Sequence, residues 1–203
     1  MKKSHRFAFT MVEILAVTAL ISILAAIGFG AYSYAMGRAK ESATRALVKQ
    51  LEAGIEAFHA KFGYYPPSSK SGTAHVYNAV TLTRGTNDMV TAINFGSYTI
   101  GYSTAPSIPR QKALKEAELD VFLKAVEPET IMKYLDGNGR ITDSYGGTIQ
   151  YCCPGKINTT GFDLIAPGED GKFGSGKAAT PPAGKSNYID SSNEWICDDL
   201  ANF

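Results

Sequence analysis

The sequence predicts an α+β fold: one long N-terminal helix, its first half in a membrane, laid against a small antiparallel β-sheet that ends in a C-terminal loop. Three observations predict it. An apolar run from Ile14 to about Met36 matches the ~20 residues a helix needs to cross a bilayer. From Arg38 to about Phe62 the pattern turns amphipathic, with Leu47, Leu51, Ile55, Phe58 and Phe62 recurring at three- and four-residue spacing as one apolar stripe. Further on, the β-rich runs Thr148–Cys153 and Gly161–Ala166 are separated by Pro154, Gly155 and Asn158, which reads as a hairpin.

The first element carries the most information. A basic leader, Met1 to Ala8, holds Lys2, Lys3, His5 and Arg6, and Glu13 stands at the entrance of the apolar run. A carboxylate within a membrane segment costs on the order of 2.5–3.5 kcal/mol on insertion scales, and it marks a functional position in need of a partner. A segment that only anchors is expected to lose nothing by placing Leu there. Three readings address residues 1–36. One is a removable secretory signal with Ser33-Tyr34-Ala35 as its small-x-small cleavage site, although the apolar run exceeds a usual h-region. Another is a plain signal anchor, which leaves Glu13 unexplained.

The third reading rests on a resemblance. Ala8-Phe9-Thr10-Met11-Val12-Glu13-Ile14-Leu15 resembles the type IV prepilin signature, in which a dedicated peptidase cuts before Phe and N-methylates it. The match implies cleavage between Ala8 and Phe9, methylation of Phe9, and Glu13 as the fifth residue of the mature chain. The stretch Glu41 to Pro67, including Gln50 onward with its Tyr64-Tyr65-Pro66-Pro67 stop, is similar to the helix end of major pseudopilins of type II secretion. Spacing and sequel together favour this reading. Two positions depart from the family's pattern: Ala8 stands where Gly is usual, and Gly30, flanked by Gly28 and Gly37, stands where a helix-loosening Pro is usual. Glycine softens a helix by ~1 kcal/mol relative to Ala without implying a sharp kink.

The resemblance also implies a role for Glu13. Cleavage would leave a free amine on Phe9, and in a staggered filament the Glu13 carboxylate of one subunit would meet the amine of the next. Losing one member of such a pair in a low-dielectric setting is costly.

Continuous helix is expected from about Thr10 to Phe62, stopped by Gly63 and Pro66-Pro67. Arg38, Lys40, Glu41, Arg45, Lys49, Glu52 and Glu56 lie off its stripe as a solvated face, with Glu41 and Arg45 as an i,i+4 pair. Between residues 68 and 109 the apolar-aromatic pieces Val76–Leu82, Met89–Phe95 and Tyr98–Tyr102 are either short strands or a long excursion decorating the core. Arg110 to Val126 returns to helical spacing, with Leu114, Ala117, Val121, Phe122 and Ala125 expected on the packed side. Glu127-Pro128 ends it, and Thr130–Leu135 adds a turn. Asp136 to Asp143 suggests an EF-hand only superficially, because Arg140 stands at an oxygen-ligand position and Gly147 replaces the closing Glu. It reads as a turn. Asp143-Ser144-Tyr145-Gly146-Gly147 resembles the Asp-x-aromatic-Gly turn leading into the pseudopilin sheet. Asn158-Thr159-Thr160 reads as turn chemistry rather than a glycan acceptor.

Phe162 to Lys172, which contains Gly168-Glu169-Asp170-Gly171, resembles the pseudopilin approach to a calcium loop. Carried over residue by residue, that resemblance implies Ca²⁺ held by Asp170 and by Asp190, the latter ahead of Asn193-Glu194-Trp195. Ca²⁺ takes six to eight oxygens, and a Gly-rich loop is able to turn carbonyls inward. A solvated Gly-Asp turn is the alternative. The adjacent Cys152 and Cys153 do not make a zinc pair; in an oxidising compartment Cys197 would bridge to either of them.

Composition narrows the function. The 203 residues have room for a membrane segment (9–36, after the 1–8 leader) and one globular domain, 37–203. Without Lys2, Lys3 and Arg6 the chain carries 17 basic and 19 acidic side chains, so no polybasic surface argues for nucleic acid. His59 and His75 are far apart, and Ala183-Gly184-Lys185-Ser186 lacks the first Gly of a P-loop, which falls on Ala179. No catalytic constellation emerges. The resemblance implies a pilin-like structural subunit, not an enzyme, in the bacterial inner membrane with a periplasmic domain. It implies self-assembly into a pseudopilus for type II secretion, with the prepilin peptidase, the inner-membrane assembly platform and minor pseudopilins as partners. A type IV pilin-like fibre for adhesion, motility or DNA uptake is the alternative within the class. A membrane-anchored domain that never polymerises is the alternative outside it.

Overall fold

The computed structural model describes residues 10–85, 89–101, 108–169, 171, 173 and 200–202. Its layout is α+β, with a long N-terminal helix and small antiparallel sheets. The chain divides into two compact units, Met1–Lys40 and Glu41–Phe203.

In the first unit the described residues are almost all helical. Helix α1 (Met11–Phe62) begins here, and every side chain from Met11 to Met36 is exposed. That surface is apolar and long enough to cross a membrane. Two of its hydroxyls donate within the helix, the arrangement that suits a bilayer: Thr18 Oγ1 to the Leu15 carbonyl at 3.0 Å and Ser22 Oγ to that of Thr18 at 2.8 Å.

The second unit contains the remainder of α1, and here the expected stripe is the packed one. Leu47, Leu51, Ile55 and Phe58 are buried together with Thr44, Val48 and Gly54, and Phe62 is partly buried against the core. Gly63, at a φ of 80°, ends the helix, its N–H bonding to the His59 carbonyl; glycine takes this left-handed conformation without a Cβ penalty.

Among the described residues, the pieces between residues 68 and 109 form strands. A two-residue hairpin, β1 (Lys70–Ser71) with β2 (Ala74–His75), comes first. Strand β3 (Asn78–Ala79) then passes through Val80 into β4 (Thr81–Arg84), which pairs with β5 (Val90–Asn94), and β5 with β6 (Thr99–Gly101), all antiparallel. The Val80 N–H donates to the Ile149 carbonyl and its carbonyl accepts from the Ile141 N–H, and this one extended segment gives β3 to one sheet and β4 to another. The second sheet runs β3-β7-β8-β9, with β7 Gln150–Cys152, β8 Asp163–Ala166 and β9 Leu200–Ala201. The β7–β8 hairpin is the expected one, with Tyr151 opposite Leu164.

Helix α2 (Pro109–Ala125) forms where expected, and of its expected packed side Phe122 is buried and Val121 half-buried, while the rest is turned outward. Leu114 is 51% exposed, and Ala117 and Ala125 are also exposed; the buried residues are Glu118 and Phe122. The reason is a polar latch. Glu118 accepts from the Tyr98 hydroxyl at 2.8 Å and from Lys115 Nζ at 2.8 Å, and Lys115 also donates to the Thr99 carbonyl. Tyr64, at the end of α1, meets the Tyr98 hydroxyl at 2.9 Å. A buried carboxylate is tolerable only when so paired, and the β5–β6 hairpin supplies the pairing. A short helix, α3 (Pro128–Met132), follows.

Lower down, α2 meets α1 at Gly54, where a Cβ would stand 2.7 and 2.8 Å from Phe122 Cε2 and Cζ. Real Cβ contacts are longer, so the ring would have to move. Gly54→Ala is therefore expected to lower stability by about 1–2 kcal/mol: overpacking costs typically 1–3 kcal/mol, and the gain in helix propensity of up to ~1 kcal/mol offsets part of it. A denaturant-unfolding midpoint for the full chain in detergent checks this.

Candidate functional site

Glu13 stands in the first turn of α1, at the third helical residue after the cap Thr10. Its Oε2 accepts from the Thr10 backbone N–H at 2.8 Å and from Thr10 Oγ1 at 2.9 Å, while its own N–H donates to Thr10 Oγ1 at 3.2 Å. This reciprocal arrangement is a capping box: two donors at the helix start, which have no partner inside the helix, are satisfied by each other's side chains. An anchor would therefore lose something by carrying Leu at position 13, contrary to the sequence-based expectation, because the N–H of Thr10 would lose its acceptor. The signal was present as Thr-x-x-Glu. The other oxygen of Glu13, Oε1, is not used by Thr10. Ala8 and Phe9, expected to flank the cleaved bond, lie outside the described residues.

At the other end of the apolar surface, Tyr34 is 68% exposed, and Arg38 reaches back one turn to it. Arg38 Nε donates to the Tyr34 hydroxyl at 3.3 Å, with the guanidinium 5.7 Å from the ring centre. Tyrosine followed by a cation is the side-chain order found at a membrane–water boundary.

Two buried carboxyl groups organise the approach to the C-terminal loop. Asp143 is 2% exposed. Its Oδ1 accepts from the N–H groups of Tyr145 and Gly147, and its Oδ2 from that of Gly168. The expected turn therefore also holds the stretch after β8. Burial pushes the Asp143 carboxyl above the usual range, while the backbone donors pull it the other way. Next to it, the Ser144 N–H donates to Thr44 Oγ1 of α1. Asp163 is fully buried. It accepts from the Tyr77 hydroxyl at 2.8 Å and from the backbone N–H groups of Lys156, Ile157 and Asn158 at 2.6–3.0 Å. Nothing in the hairpin reading singled it out, although an acid inside the apolar run Phe162–Ala166 was a visible signal.

The calcium residues Asp170 and Asp190 lie outside the described residues, as does Cys197. Among the described residues, no three His, Cys, Asp or Glu side chains converge as a metal site would require. The Asp136 loop is a turn, as expected: its carboxylate is bonded to the N–H groups of Asn138 and Arg140 and to Arg140 Nε at 2.7 Å. Asn158 is likewise engaged in turn contacts, with the Thr160 hydroxyl on its Oδ1. Ser68 Oγ lies 3.3 Å from His75 Nδ1, a Ser–His approach that their spacing did not suggest. Ser68 is 2% exposed, and its hydroxyl donates to the Cys153 carbonyl at 3.1 Å. The contact fastens the β1–β2 hairpin to the end of β7.

Cys152 and Cys153 are buried free thiols, not joined to each other. Burial pushes both thiols above their usual range. Folding thus favours the protonated thiols; that contribution is complete below the unfolded thiol pKa of about 8.5 and is lost as pH rises through the higher folded values. Both are expected to resist a thiol-specific reagent at pH 7–8 and to react at once in denaturant. Timed thiol titration checks this, with rapid labelling of the folded chain at both positions as the contrary result.

No family model, curated protein or solved structure matches the chain. A functional reading therefore rests on the chain's own residues.

Proposed function

We propose that the chain is a pilin-like structural subunit that polymerises through its N-terminal helix into a periplasmic pseudopilus supporting type II secretion. The observation that carries this reading is the single helix α1, apolar and exposed from Met11 to Met36 and then buried along one stripe against small antiparallel sheets. It begins at a Thr10–Glu13 box two residues beyond the Ala8–Phe9 bond of the prepilin-like signature. In this reading the peptidase removes residues 1–8 and methylates Phe9, and the new amine pairs with Glu13 of a neighbouring subunit. The inner membrane holds the apolar half of α1, and the assembly platform and minor pseudopilins act on the filament. The test is mass spectrometry of the N-terminus of the chain from membranes. A mature chain starting at N-methylated Phe9 is expected; an intact leader through Ala8 defeats the reading.

Calcium belongs to the same proposal. Asp170 and Asp190 would supply carboxylate oxygens to the ion, as hard-oxygen coordination requires. Added calcium is then expected to raise the melting temperature and chelator to lower it, whereas a Tm indifferent to both argues against the ion. One observation favours a second reading, a membrane-anchored domain that does not polymerise: the capping box gives Glu13 a purpose within one chain.

A further inference from the structure

We propose that the groove between α1 and the outer edge of β9 receives an extended, acidic stretch of a partner protein, which adds to the sheet at Ala201 and sets a carboxylate against Lys49 and Arg45. The inference does not depend on polymerisation.

The groove has a volume of about 260 Å³ and is lined by Arg45, Val48, Lys49 and Glu52 of α1 and by Leu200, Ala201 and Asn202. Among the described residues nothing pairs with the outer edge of β9, and the register says which groups face it. β9 pairs antiparallel with β8, Ala201 opposite Ile165 and Leu200 opposite Ala166. The Asn202 N–H donates to the Leu164 carbonyl at 3.2 Å, so residues 202 and 164 form a hydrogen-bonded pair of the ladder. Such pairs alternate with non-bonded ones along antiparallel strands. Ala201 is therefore a non-bonded partner of Ile165, and its N–H and C=O point away from β8. Among the described residues β9 is the last strand of its sheet. An outward N–H and C=O on one residue are the minimal template for strand addition.

The groove also selects its occupant. Val48 and Leu200, 3% and 6% exposed, give it an apolar floor. Above them stand two cations one helical turn apart. Lys49 is exposed, and among the described residues Arg45 pairs with Glu41 at 3.0 Å, its own side chain 61% exposed. An exposed pair of this kind is worth little and yields readily to a competing carboxylate. Glu52 lies at the other end of the same helical face, so an acidic side chain is drawn toward Arg45 and Lys49 and away from Glu52. That sets where the carboxylate of the incoming strand sits as well as its charge.

The test uses the full chain in detergent micelles and a fluorescein-labelled, end-blocked pentapeptide, Thr-Val-Asp-Val-Thr, followed by fluorescence anisotropy. Saturable binding is expected, weakened about fivefold or more when Lys replaces Asp in the peptide, and similarly by Lys49→Glu. Ala201→Pro removes the outward N–H, which the β8 ladder does not use, and an edge strand tolerates proline at such a site; binding is expected to be lost with unchanged melting. Should Ala201→Pro fold poorly, Lys49→Glu, on an exposed side chain, decides alone. No saturable binding, or equal binding to both peptides and to Lys49→Glu, overturns the proposal.

Discussion

Asp163→Ala is expected to destabilise the second unit by about 3–5 kcal/mol, a large share of the 5–15 kcal/mol that holds a typical domain folded. The carboxyl group of Asp163 is fully buried and is the acceptor for four donors: the Tyr77 hydroxyl and the backbone N–H groups of Lys156, Ile157 and Asn158. Alanine would remove every acceptor and leave the donors. Each buried donor left unpaired costs about 1–3 kcal/mol. The sum is less than four times that, because Lys156 is exposed and Ile157 and Asn158 are half-buried, so water reaches part of the loop. The loop also closes tightly on the carboxyl group, since a Cβ on Gly155 would run into Asp163 Oδ1. Asp163→Asn keeps the shape and one acceptor oxygen but turns an NH₂ group toward the remaining donors, so an intermediate loss is expected. Denaturant midpoints for the two variants and the parent give the order. A midpoint for Asp163→Ala within error of the parent would show that the loop finds other partners.

The contrast between α1 and α2 shows which parts of the fold were legible in sequence. The stripe of α1 is set by continuous helix geometry over many turns, so Leu47, Leu51, Ile55 and Phe58 declare themselves by spacing alone, and all four are buried. The packed face of α2 depends instead on Tyr98, twenty residues upstream of Glu118 in a hairpin. Helical spacing counts a glutamate as solvent-facing and cannot register a distant hydroxyl that makes its burial tolerable. Strand β9 was invisible for another reason: at two residues, Leu200–Ala201, it is shorter than any alternation that periodicity resolves, and pairing with β8 alone defines it. The candidate site at Glu13 was legible twice over. The same eight residues carry a prepilin-like signature and a Thr-x-x-Glu capping-box pattern, and only the first of these entered the sequence-based expectation.

Those two roles of Glu13 predict different variants. If the capping box is its whole purpose, Glu13→Ala and Thr10→Val should be nearly equivalent. Each breaks the reciprocal pair, each weakens the helix start by roughly 0.5–2 kcal/mol, and neither should do more than fray the first turn of a helix whose remaining turns are held by their own bonds. If Glu13 also meets the Phe9 amine of a neighbouring subunit, the equivalence fails. Thr10→Val keeps the carboxylate and so should leave filaments, although fewer or slower to form. Glu13→Ala leaves an amine without its counter-charge at every subunit contact, and the penalty for an unmatched buried charge, about 3–5 kcal/mol, recurs along the whole polymer. Assembly should then vanish while membrane insertion, which depends on the apolar run from Ile14 to Met36, persists. Glu13→Gln sharpens the distinction, because its amide oxygen still accepts from Thr10 yet carries no charge: it should restore the helix start and not the filament. Sheared-fraction and membrane-fraction assays of the three variants separate the outcomes. Filaments from Glu13→Ala at the level of the parent chain would remove the intersubunit pair and leave Glu13 with Thr10 as its one partner.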